Sequence, residues 1–326
     1  MSSGHAAMRA VGLTEYGGPE VLRVVDIPRP QAGPGQVRVR VRAAAVNPAD
    51  TLLRAGYLAN LMRELTPPYI PGQDIAGTVD QIGPGADARL RIGDQVMAMV
   101  IPIRPDGGGY AEHVVLDAGW VTPAPAGTSH AEAATLPLNG LTALLALDAL
   151  GLPAGSSLAI TGAAGALGGY LVQLAKHRGL RVLADALPAD VPLVSKLGAD
   201  EVVARGDGVA ARLAQAAGGT VDAVADAAVI GDALFEAVRD GGAFAQFRGS
   251  GEPGGGLHTP QRPITVHPVF VPDYGGRADK LDELRRLAEA GVLTPRVAQV
   301  LPPEQAPLAH RLLEAGGVRG RLVLAF

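Results

Sequence analysis

Apolar and polar positions along this chain change rhythm near residue 129 and again near residue 273. From Met8 to about Pro123 the pattern is short apolar runs, several alternating with period two, cut by glycine- and proline-rich turns at 17–19, 33–35, 83–85 and 107–109. It predicts strands at 8–13, 22–26, 36–45, 75–82, 95–99 and 111–116, and strands so short and closely spaced predict a barrel-like β domain. One helix interrupts them at 48–56, with Asn47 as its cap and Pro48 in its first turn. Residues 130–150 are Ala/Leu-rich and helical, broken at Pro137. Strands at 157–161, 181–185, 201–203, 222–226, 243–247 and 265–271 then alternate with helices near 166–178, 190–197, 208–217 and 231–239. Such alternation predicts a parallel sheet with helices on both faces, an α/β fold. A helix at 279–290, a strand at 297–301, a helix at 303–315 and a strand at 320–325 end the chain. This tail is expected to rejoin the β domain, giving one domain from 1–124 and 273–326 around an inserted domain, 125–272.

The inserted domain opens on the stretch richest in chemistry. Ser157 to Thr161 has the length of a strand, Gly162, Ala163, Ala164, Gly165, Ala166, Leu167 and Gly168 make a tight small-residue turn, and a helical pattern runs on to Lys176. Strand, glycine turn and helix are what a nucleotide-binding βα unit requires. Glycine admits positive φ and close backbone approach, while the helix start offers unpaired N–H groups and a positive dipole end to a pyrophosphate. The next strand ends at Asp185, placed to accept a hydrogen bond from an adenosine ribose. The alternative, a helix-capping turn with a surface acid behind it, does not need all four features together.

Composition narrows the function. With 48% hydrophobic and 18% charged residues the chain is globular, and its net charge of −4 gives no sign of a nucleic-acid surface. No apolar run is read as long enough to span a bilayer, and no signal-peptide core opens the chain, so a cytoplasmic protein with no membrane partner is expected. There is no cysteine, which removes disulfides, thiolate nucleophiles and cysteine-ligated zinc, and the seven histidines do not cluster at ligand spacing. No metal site is expected.

Separate motifs, in a fixed order, carry a resemblance. They are GlyGlyProGluValLeu (17–22), ValAsnProAlaAsp (46–50), ProGlyGlnAspIleAlaGly (71–77), GlyAspGlnVal (93–96), GlyGlyTyrAlaGlu (108–112) and AlaAlaThrLeuProLeuAsnGlyLeuThrAla (133–143). The glycine turn, LeuGlyAlaAsp (197–200), and AlaHisArgLeuLeuGlu with GlyArgLeuValLeu inside 309–324 complete the set. The chain resembles the zinc-free quinone oxidoreductase (zeta-crystallin-like) group of the medium-chain dehydrogenase/reductase superfamily, which is alcohol dehydrogenase-like. The resemblance implies a GroES-like β-barrel substrate domain with an inserted Rossmann domain, the nicotinamide lying in the cleft between them. It implies a homodimer and reduction of small quinones or α,β-unsaturated carbonyls by NADPH without zinc.

Hydride transfer to a conjugated acceptor needs positioning and a polar partner for the developing oxyanion. Asn47, whose plain role is the helix cap, matches a family position that would hydrogen-bond nicotinamide or substrate. Tyr57 is a candidate proton donor or a packed aromatic; Thr142 resembles a threonine beside the cofactor or is a mid-helix residue. Asp50, in the first turn of its helix, is assigned to structure. Phe247, Arg248 and Gly249 follow a sheet strand at the end where ligands bind in this fold. Arg248 and Arg321 are candidate phosphate contacts or solvated arginines. The second Rossmann strand ends in AlaAspAlaLeuProAlaAsp (184–190), with two acids and no base. NADP(H) is the family default, yet Asp185 favours NAD(H), unless Arg205 or Arg248 offsets it. An enoyl-thioester reductase and a non-catalytic dinucleotide-binding relative are the rival readings.

Overall fold

The computed structural model describes residues 6–248, 256 and 258–326, so the expected contact at Gly249 lies outside the described residues. The chain divides into two units: Met1–Leu138 with Tyr274–Ala290 and Pro295–Phe326, and Asn139–Asp273 with Gly291–Thr294. The first division falls at 138/139, where the sequence pattern had placed it at 124/125, because the chain stays with the first unit through its first helical turn after Ser129.

In the first unit β1 (Ala7–Gly12) pairs antiparallel with β2 (Arg23–Pro28). Its larger sheet is built on β3 (Gln36–Ala45), followed by α1 (Pro48–Ala55), α2 (Ala59–Met62), β4 (Asp74–Ile82), β5 (Gln95–Met99), β6 (His113–Asp117) and β7 (Val121–Pro123). β3 has β4 along one edge, while the other is shared: β6 lies beside its first half. The last strand of the chain, β15 (Arg321–Ala325), lies beside its final three residues. Val37, Val39, Val41, Ile75, Val96 and Leu322 fill the core under these strands. The hydrogen-bonded path ends at β7 and at β14 (Val297–Leu301), which do not pair, so the expected closed barrel is an open sheet here. β7 has only three residues and ends on Pro123, which has no N–H to offer a further strand.

α3 (His130–Ala133) carries a capping box between Ser129 and Glu132, and α4 (Pro137–Leu150) follows it. Taken as one apolar helical stretch, 130–150 is long and apolar enough to cross a membrane, which corrects the sequence expectation. Its apolar part is 78% buried within the protein, as the core helix of a folded domain is.

The second unit alternates β8 (Ser157–Thr161), α5 (Ala166–His177), β9 (Arg181–Ala186), α6 (Val191–Lys196), β10 (Glu201–Ala204), α7 (Val209–Ala217), β11 (Val221–Asp226), β12 (Val238–Gln246) and β13 (Thr265–Pro268). All six strands are parallel, in the order β10-β9-β8-β11-β12-β13. The order reverses between β8 and β11, the switch point of a doubly wound sheet, where ligands bind outside the strands' carboxyl ends. The helix expected at 231–239 is a 3₁₀ turn, Asp232–Ala237, and β12 begins at Val238 rather than 243. Gly241 and Gly242 lie inside the strand. Its register against β11 shifts there, and Gly241 takes φ +71°. α8 (Ala278–Glu289) and α9 (Ala306–Ala315) belong to the first unit.

Candidate functional site

The carboxyl end of β8 leads straight into the glycine turn. Gly162 sits at φ +65°, the left-handed region, and the Gly165 N–H closes the turn on the Gly162 carbonyl at 2.9 Å. A Cβ at Gly168 would lie 2.2 Å from that same carbonyl oxygen, so only glycine lets α5 start this close to the turn. The first helical hydrogen bond runs from Gly169 N–H to Gly165 O, leaving Ala166, Leu167 and Gly168 ahead of it. No side chain caps this end. Three backbone N–H groups and the positive end of a twelve-residue helix form a cradle that fits a pyrophosphate.

Asp185, at the end of β9, is turned inward. It is 2% exposed, and its Oδ1 accepts the Gly162 N–H at 2.6 Å. The acid expected to stand beside a ribose is therefore also a brace of the glycine turn. Its Oδ2 is buried without a partner, an acceptor that a ribose hydroxyl would satisfy. Burial raises its pKa, opposed by the Gly162 N–H, the positive charge of Arg205 and the Ala163 N–H. Arg205 is exposed just after β10, its backbone N–H bonded to Ala186 O at 3.0 Å. On the other side of the switch point, Thr161 donates to Asp226 Oδ1 at 2.6 Å, and Asp226 Oδ2 accepts the Gly231 N–H at 2.7 Å. Both acids order the loops that follow the sheet.

A buried polar cluster occupies the first unit. Asn47 is the N-cap residue of α1, in a capping-box arrangement with Asp50. Asp50 accepts the Asn47 backbone N–H at 2.8 Å, and the Asn47 amide donates from Nδ2 to Asp74 Oδ2 at 2.8 Å and to Ala45 O at 3.3 Å. Those bonds commit the amide's donor end and leave Asn47 Oδ1 buried without a partner. Asp74 also takes the Leu138 N–H at 2.6 Å and lies 3.5 Å from Arg321 Nη2. Asp50 accepts the Gly72 N–H at 2.9 Å and the Tyr110 hydroxyl at 3.2 Å, and Tyr110 lies 3.3 Å from His310 Nε2. Asn47, Asp50, Asp74, Tyr110 and His310 are all fully buried. Burial pushes Asp50 up to about 7 and Asp74 up to about 6, against the pull of Arg321, and drives His310 down to about 3.

Asn47 and Arg321 are thus brought together, both on Asp74 Oδ2. Arg321 is only 5% exposed, so it neutralises buried acids instead of standing free at the surface. Tyr57, in the turn between α1 and α2, is 54% exposed and joins no part of this cluster. Thr142 is half-buried within α4, and Phe247 and Arg248 are half-buried just beyond β12. Asp74, Tyr110 and His310 were not singled out from the sequence, although each lies in one of its quoted motifs.

A GroES-like unit and a doubly wound dinucleotide-binding unit define the dehydrogenase class. The alcohol dehydrogenase GroES-like domain model matches residues 33–126, and the zinc-binding dehydrogenase model matches 197–324. The rat (Rattus norvegicus) quinone oxidoreductase is 35% identical over 207 residues, covering 62% of this chain and 60% of that protein. The spectinabilin polyketide synthase system protein NorB of Streptomyces orinoci is 34% identical over 329 residues, covering 94% of this chain and 14% of that protein. The chain thus spans less than two thirds of the length of these curated relatives. Among solved structures, an NAD-dependent alcohol dehydrogenase superposes with a TM-score of 0.85 at 32% identity, covering 98% of this chain and all of that one. A mycobacterial protein complexed with NADPH gives 0.83 at 28%, with the same coverage. The chain belongs to the medium-chain dehydrogenase/reductase superfamily, in its quinone oxidoreductase group. The matched description names zinc, but the chain has no cysteine, and among the described residues no three His, Asp or Glu come together as ligands. A zinc centre does not fit these residues.

Proposed function

We propose that this protein is an NADPH-dependent oxidoreductase that reduces quinones and α,β-unsaturated carbonyls without a metal. The observation that carries the proposal is the uncapped start of α5, held against Gly162 at a distance only Gly168 permits. Backbone N–H groups of Ala166, Leu167 and Gly168 would hold the pyrophosphate, and Asp185 Oδ2 the adenosine ribose. Asp185 is turned in toward Gly162, so it does not stand out as a free charge against a 2′-phosphate. Arg205, exposed beside the end of β9, supplies the base that the strand itself lacks. This favours NADPH over NADH.

When bound, the reduced nicotinamide supplies hydride to the acceptor. The protein's part is orientation and exclusion of water. Asn47 can accept a hydrogen bond through Oδ1 but has no free donor, so it would hold an N–H or O–H group, such as a carboxamide, and would not stabilise an oxyanion. Because Asn47 is fully buried, its cover must move for a ligand atom to reach it. Reduction of an enoyl thioester is the second reading, favoured by the alignment of 94% of this chain with a polyketide synthase protein. Homodimer formation is expected from the family. β13, one of the two edges of the parallel sheet among the described residues, is a ready surface for it.

The test is to titrate the protein with NADPH and NADH, then follow oxidation of each against benzoquinone, a simple enone and a crotonyl thioester. Binding with turnover of quinone and enone supports the proposal, and preference for the thioester supports the second reading. Tight binding with no oxidation of any acceptor would make the chain a non-catalytic relative. No binding of either dinucleotide would overturn both readings.

A further inference from the structure

A histidine–aspartate pair stands at the ligand-binding edge of the parallel sheet, and no role has been assigned to it. His258 Nδ1 lies 2.5 Å from Asp232 Oδ1. A carboxylate can only accept, so Nδ1 carries the proton of this bond and Nε2 is the nitrogen left for other chemistry. The ring is held edge-on to Phe235 and Phe244, with centroids 6.2 and 6.0 Å away, and its side chain is 17% exposed. The His258 backbone N–H reaches Gln246 Oε1 at 3.3 Å, and the Gln246 amide in turn donates to Arg248 O and to Gly256 O. Both neighbours of the ring are fixed, so its orientation is fixed too.

The pair is joined to the glycine turn by a continuous line of contacts. Thr161, the residue before Gly162, donates to Asp226; Asp226 accepts from Gly231; Asp232 follows Gly231 and holds His258. That line runs from β8 across β11 to β12. In a doubly wound sheet the two halves of a dinucleotide lie on opposite sides of the switch point. Asp185 on β9 marks the adenosine side, so the β11–β12 side, where His258 stands, is left for the nicotinamide and the acceptor.

We propose that His258, oriented by Asp232, is the proton donor for reduction of α,β-unsaturated carbonyls. The proposal rests on the reductase reading above. The acceptor takes hydride at its β-carbon from the reduced nicotinamide, and its C=C electron pair moves toward the carbonyl oxygen as an enolate. Solvent first supplies a second proton, on Nε2 of His258, so the ring acts as an imidazolium whose Nδ1–H stays on Asp232. The Nε2–H bond then breaks, its electrons staying on the ring, and a new Cα–H bond forms. Water reprotonates the ring, so the dinucleotide is oxidised and the enone becomes a saturated ketone. A quinone gains its protons on oxygen, where exchange with water is fast, and needs no donor aimed at carbon.

Two readouts test this. In the protein without cofactor, ¹⁵N-resolved NMR of His258 should show the proton held on Nδ1, and Asp232→Asn should lose that fixed tautomer. In turnover, His258→Gln should lower the ratio of enone to quinone reduction by about a hundredfold, the lower range for removal of a general acid. Reduction in D₂O should place deuterium on one face of Cα in the wild type and on both faces in the variant. Asp232, whose side chain is 71% exposed, can be changed without unfolding the protein, and Asp232→Asn should shift the ratio in the same direction. A wild-type enzyme active on both acceptors, with the ratio and the labelling unchanged in both variants, would overturn this inference alone. Wild-type protein that oxidises neither dinucleotide with any acceptor would overturn the reductase reading and this inference with it.

Discussion

Two buried carboxylates sharing one guanidinium should each lose their contribution to stability as pH rises toward neutrality. Asp50 and Asp74 are fully buried in the first unit, with Arg321 as the nearby cation. Burial raises Asp50 from 3.8 to about 7, and the backbone N–H groups of Asn47 and Gly72 do not offset it. A group whose folded pKa is raised binds its proton more tightly in the folded state. Its contribution is therefore complete below the unfolded value near 4 and is lost as pH climbs through about 7. At about 1.4 kcal/mol per unit, a shift of roughly three units for Asp50 is worth about 4 kcal/mol. That is a large share of the 5–15 kcal/mol that typically holds a domain together. Asp74, raised to about 6, acts in the same direction, and the two titrate as a coupled pair. Urea unfolding followed through Trp120, the single tryptophan and a residue packed on the core of the same unit, reports this region. His310, driven down to about 3, acts in the opposite direction below its ordinary value of 6.5, so the readout is a difference. Between about pH 5 and about pH 8 the wild-type midpoint should fall relative to that of Asp50→Asn. A midpoint difference between wild type and Asp50→Asn that stays constant over this window would refute the reasoning.

Other expectations concern single residues. Arg205→Gln should cut the NADPH-to-NADH affinity ratio by about 10- to 100-fold, the worth of one charge-assisted hydrogen bond, as read by fluorescence titration. An unchanged ratio would return the choice of cofactor to Asp185. Gly168→Ala, which drives a methyl group into the Gly162 carbonyl, should cost about 1–3 kcal/mol in thermal unfolding and weaken both dinucleotides together. Asn47→Ala removes a donor from buried Asp74 and should cost about 1–3 kcal/mol as well as turnover; full activity would remove Asn47 from the site. Phe244→Ala, in the second core beneath β12, should cost about 3–5 kcal/mol by calorimetry.

Local pattern carried the sequence reading a long way. The period-two runs, the strand–turn–helix at Gly162 and the alternation beyond it depend on neighbours in the chain, and these elements lie where the pattern placed them. Local pattern failed where distant residues decide. Asn47 is the N-cap its position suggests, but its amide also donates to Asp74, twenty-seven residues away, which no local window displays. The Tyr110 contact with His310 spans two hundred residues, and no window of sequence displays it. Asp185 was read by position as a ribose acid, and position does not show that its carboxylate also braces the Gly162 N–H. The pattern starts this strand at 243, after Gly241 and Gly242, whereas these glycines lie inside it and absorb a change of register.

The bond between Asp185 and Gly162 makes two recognition tasks mechanically one. The acid that would greet the sugar also props the turn that would hold the phosphates. Exchanging it to alter cofactor choice would therefore disturb both halves of the dinucleotide at once. Any lineage drifting from one cofactor to the other is thus better served by changing the neighbouring strand end, where the Arg205 side chain is exposed. The freedom to change partner lies one strand away from the residue that nominally chooses it.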